Sequence, residues 1–95
     1  MKNDRYKIYV IKRVFHRRVI TPMTPSERCQ TLTAAKKVAM PLLERFIHDE
    51  IVAHDTIDGN WLILQNDHRT PDGFDWKILG DRSIGQIKET MEHAQ

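Results

Sequence analysis

A chain of 95 residues is one domain's worth of sequence and too short for two separate cores. Its 40% hydrophobic and 29% charged residues match a globular domain and exclude disorder, and its single cysteine, Cys29, excludes an intramolecular disulfide. No apolar run approaches the roughly 20 residues that cross a bilayer, and the N-terminus lacks the apolar core of a signal peptide, so the expectation is a cytoplasmic protein without membrane contact. The formal net charge of +2 is unevenly spread: residues 1–18 hold seven bases against one acid, and the rest of the chain is net acidic. Clustered Lys and Arg raise the local potential where phosphates would sit, which hints at a polyanion-facing end.

Tyr6 to Phe15 is rich in β-branched and aromatic residues and contains neither Gly nor Pro, so it reads as a strand. Period-two alternation puts Tyr6, Ile8, Val10 and Val14 on the expected core face, and Tyr9, Ile11 and Phe15 on the other. From His16 to Gln30, Pro22 and Pro25 interrupt regular structure. Val19-Ile20 could extend or pair with the first strand, but two nearby prolines argue against a long partner.

Between Thr31 and Glu50, Leu32, Ala35, Val38, Ala39, Leu42, Leu43, Phe46 and Ile47 recur at spacings of three and four, the pattern of an amphipathic helix. Thr31 is its expected cap, with Thr24-Pro-Ser-Glu27 as an alternative earlier start, and Pro41 predicts a kink or break near Met40. Asp58-Gly-Asn60 is a turn signal, after which Trp61–Gln65 and Phe74–Leu79 form a predicted hairpin with a long loop. Ser83 caps a predicted last helix carrying Ile84, Ile87 and Met91. The order is β-α-β-β-α across residues 1–95, a single two-layer α+β domain with both helices on one face of a mostly antiparallel sheet.

Motifs for chemistry are sparse. His48, Asp49, Glu50, His54 and Asp55 are metal-ligand types, but six residues of helix turn the second His by about 240° from the first, and no H-E-x-x-H or cysteine zinc pattern occurs. A solvated helix end explains them better. Cys29 follows Arg28, a cation able to lower a thiol pKa, yet reads as an inert packed thiol. No phosphate-cradling glycine loop or nucleophile elbow is present, so the sequence assigns no catalytic, cofactor-binding or metal-binding residue. Trp61 and Trp76 could anchor an interface, but in so small a core they read first as packing residues.

By elimination, the reading is a small non-enzymatic accessory or regulatory protein that binds a macromolecule, a protein partner before a nucleic acid, with a small enzyme third. Arg13, Arg17, Arg18, His68 and Arg69 are the expected partner-binding residues, on the basic N-terminal segment and in the hairpin loop. The chain is expected to act as a monomer, or as a homodimer through an unpaired edge of the Tyr6–Phe15 strand.

Overall fold

The computed structural model describes residues 5–15, 17–23 and 29–92. Its strands are β1 (Tyr6–Val14), β2 (Arg17–Met23), β3 (Glu50–Asp55), β4 (Trp61–Asn66) and β5 (Phe74–Ile78); its helices are α1 (Leu32–Arg45) and α2 (Asp81–Glu92). The strands form one sheet in the order β2-β1-β3-β4-β5, and each neighbouring pair is antiparallel. The α+β class and the antiparallel sheet are as expected, and all five predicted elements are present.

Two strands join them. β2 is seven residues long despite Pro22, because it lies at the sheet edge, where a residue without an N–H can face outward without breaking a ladder bond. β3 occupies what reads as the end of the first helix. Its Ile51-Val52-Ala53 run is fully buried, since the sheet is covered on both faces here and alternation disappears.

The two-layer arrangement with both helices on one face is corrected. Ile8, Val10, Ile51, Ala53, Leu62 and Leu64 pack against α1 through Ala35 and Ala39. Ile11, Val52 and Trp61 point the other way and pack against Ile87 of α2. The helices therefore cover opposite faces of the sheet, and the second face of β1, expected to be the outer one, holds a smaller core of its own.

α1 begins where its cap predicts: Thr31 Oγ1 accepts from the Ala34 N–H at 3.1 Å. It runs unbroken through Pro41, which is exposed, so the break expected near Met40 does not occur. It ends at Arg45, with the Phe46 N–H donating to the Leu42 carbonyl, and Ile47 is 71% exposed rather than part of the buried stripe. α2 starts at Asp81, ahead of Ser83, and the Ile84 N–H donates to the Gly80 carbonyl. The alternative start at Thr24–Glu27 lies outside the described residues.

A half-buried ion pair joins the residue before β1 to the end of β3. Asp55, 3% exposed, accepts from Arg5 Nε at 3.2 Å and Nη2 at 3.0 Å, and from the backbone N–H groups of Ile57 and Asp58. Hydrogen bonds from Arg5 hold its carboxyl at about 2, below the ordinary 3.8. Arg5, half-buried, is thus paired with Asp55 and Asp58, although it belongs to the basic N-terminal segment.

Candidate functional site

The sequence from Arg5 to Ser26 contains no acidic residue. The fold concentrates four of its cations in one place. β1 pairs with β3 only as far as Ile11↔Glu50, whereas it pairs with β2 through Lys12↔Val19, Arg13↔Arg18 and Val14↔Arg17. Beyond Ile11, β1 and β2 are therefore a two-stranded ribbon that extends past the sheet by three residues, about 10 Å at the rise of a strand.

Alternation sorts the ribbon's side chains. Arg13 and Arg18 share the α2 side, where Arg18 Nη1 donates to Gln86 Oε1 at 2.9 Å and ties the ribbon to that helix. Lys12, Val14, Arg17 and Val19 share the α1 side, where Lys12 Nζ sits 4.5 Å from the centroid of the Phe46 ring. Val14 and Val19 are 46% and 41% exposed and take no part in the core that α1 closes on this face.

At the tip, Phe15 has φ of +50° and is 95% exposed. A positive φ suits a residue that leaves the last strand pair of a hairpin, a place that Gly, Asn or Asp normally take. For an L-residue with a bulky side chain this backbone costs roughly 1–2 kcal/mol. The ring recovers nothing by burial. The alternation of the sequence carries the strand through Phe15, which instead makes the turn; no Gly, Asn or Asp marks the place.

His68 and Arg69 do not join this group. They lie in the β4–β5 loop, at the same end of the sheet but against its opposite edge, four strand spacings or about 19 Å from β2. Arg69 is engaged locally: its Nε and Nη2 donate to the two carboxylate oxygens of Asp67 at 3.0 and 3.1 Å. That pairing keeps the Asp67 carboxyl below its usual range. Thr70 Oγ1 bonds the carbonyls of Asp67 and Phe74, so the loop is shaped mainly by its own polar groups.

Two open depressions flank Trp76. One, of about 400 Å³, lies between α1 and β5 and is lined by Leu32, Lys36, Met40, Asp72 and Asp75; the other, of about 480 Å³, lies along the β4–β5 loop. Their charges are matched in part, Lys36 with Asp72 at 2.9 Å in the first and Arg69 with Asp67 in the second. The indole N–H of Trp76 donates to the Leu32 carbonyl at 3.1 Å, and Trp61 is buried and stacked on His54 at 4.3 Å. Both tryptophans therefore pack, on opposite faces of the sheet.

The suspected metal constellation is dispersed. Asp55 is taken up by Arg5, His54 lies in β3 against Trp61, and His48 is exposed beyond α1. Among the described residues no group of three or more His, Cys, Asp or Glu is placed to hold an ion. Cys29 is buried against the α1 core, and its carbonyl accepts from the Tyr6 N–H. No described helix is long and apolar enough to cross a membrane.

No protein family is matched by this chain, and no curated protein or solved structure is detectably similar to it.

Proposed function

We propose that this chain is a non-enzymatic binding module of the cytoplasm whose working surface is the β1–β2 ribbon and whose partner is a nucleic acid. The observation that supports it is the projecting, acid-free ribbon, where Lys12, Arg13, Arg17 and Arg18 surround an exposed aromatic tip. A two-stranded ribbon has the width to enter the major groove of a duplex, and Arg and Lys on both of its sides can reach the phosphates that line it. Elimination from the sequence alone ranks a protein partner first. The geometry favours the opposite order, because the cations are gathered on one projection while Arg5 and Arg69 are neutralised elsewhere.

The test is fluorescence anisotropy with labelled single- and double-stranded DNA and RNA at two salt concentrations. Four phosphate contacts would give a log–log salt slope of about −3 to −4. Arg17→Ala with Arg18→Ala should weaken binding to every sequence and flatten that slope by about 2. Absence of binding at low salt would sink the reading. A protein partner would then be favoured by the outer edge of β2, which pairs with no strand among the described residues and carries the exposed Val19, an arrangement open to strand addition.

A further inference from the structure

We propose that Phe15 is a base-stacking residue: the ribbon carries its ring to an unpaired base, while Lys12, Arg13, Arg17 and Arg18 hold the flanking phosphates. This rests on the nucleic-acid reading of the ribbon and adds to it the feature of the nucleic acid that is recognised.

Three observations converge. Phe15 keeps a backbone conformation that Gly or Asn would adopt with less strain, at a place where its ring touches little of the protein, so neither packing nor turn geometry explains an aromatic there. Lys12 is covered by the Phe46 ring and Arg18 by Gln86, so the part of the ribbon free to meet a base is its last pair, Val14↔Arg17, and Phe15 itself. A phenyl ring also carries no donor or acceptor. Its contact with a base edge is limited to the thymine methyl, and its larger contact is with the face, which lies open where a base is already out of the stack.

Unpairing is cheapest where a base already lacks a partner. The favoured target is therefore a bulge, a mismatch or a junction in an otherwise paired nucleic acid. A lipid surface fits less well: beside the ring the ribbon offers only the half-exposed Val14 and Val19, and its cations lie on both faces rather than on one.

The experiment compares a duplex bearing a one-nucleotide 2-aminopurine bulge with its fully paired counterpart. The wild-type protein should prefer the bulged duplex by about tenfold and change the 2-aminopurine emission on binding. Phe15→Ala should bind both duplexes at the paired-duplex level with the salt slope unchanged, and Phe15→Trp should restore the preference. Equal affinity of the wild type for the two duplexes, or an unchanged preference in Phe15→Ala, overturns the inference while leaving the electrostatic reading standing. Loss of all binding at low salt removes the underlying reading instead. Capture by phosphatidylserine vesicles that depends on Phe15, without a preference for the bulge, overturns the inference in favour of lipid. Thermal unfolding of each variant separates these outcomes from misfolding.

Discussion

Arg13 and Arg18 stand directly opposite one another across the β1–β2 ladder, on the same side of the ribbon. Like charges in that relation repel, and an opposite pair in their place is worth roughly 0.2–1 kcal/mol. Arg13→Glu should therefore raise the melting temperature by a few degrees while weakening nucleic-acid binding at least tenfold. Calorimetry and anisotropy on the same preparation check both halves. A variant that is less stable and binds equally well would contradict this account of the ribbon.

Phe15→Asn should also stabilise the domain. Asn tolerates the left-handed region better than an aromatic does, and almost no buried contact is lost with the ring. The gain expected is about 0.5–1 kcal/mol, or some 4 °C in a domain of this size. Unchanged or reduced thermal stability would show that the ring serves the fold.

Acid should weaken the domain through Asp55. Its carboxyl titrates at about 2 in the fold against 3.8 ordinarily, so the ionised form is the one the native state favours. The stabilisation is complete above the ordinary value, declines as pH falls from about 4 toward 2, and amounts to about 2 kcal/mol. Asp55→Asn should be less stable than wild type at pH 6, with the gap closing by pH 2. Urea midpoints at the two pH values measure it, and a gap independent of pH would refute the assignment.

Ile87→Ala tests the placement of the helices. Ile87 is 4% exposed and is the buried α2 residue of the small second core. Its truncation should cost about 2 kcal/mol. Hydrogen exchange should accelerate first in α2, with the amides of α1 still protected behind the other face of the sheet. Equal acceleration in both helices would contradict the separation of the two cores.

Elements with one buried face are the legible ones. α1 announces itself by the spacing of Ala35, Val38, Ala39 and Leu42 and by the Thr31 cap. β3 hides because Ile51, Val52 and Ala53 are all buried, a run that periodicity cannot distinguish from the helix before it. β2 hides behind Pro22, whose tolerance depends on an edge position that only the assembled sheet reveals. The placement of α2 follows from the apolar second face of β1, which alternation alone assigns to solvent.

The site divides in the same way. Arg13, Arg17 and Arg18 stand out as a charge cluster in the order of the residues alone. Arg69 looks equivalent to them in sequence but is bound to Asp67 two residues earlier. Phe15 passes for one more strand residue, and only its backbone angle and its exposure set it apart.

The ribbon's strand pairing thins from root to tip. Val10 and Ile11 have β2 on one side and β3 on the other, while Lys12 to Val14 have β2 alone among the described strands. The structure is thus a clamped beam with a compliant end: the five-stranded sheet holds the root, the Arg18–Gln86 bond braces the middle pair, and Val14, Phe15 and Arg17 at the end can bend toward whatever they meet. A charged arm of that kind can follow curved or kinked surfaces without disturbing either core, because its strain is taken up where there is no core to disturb.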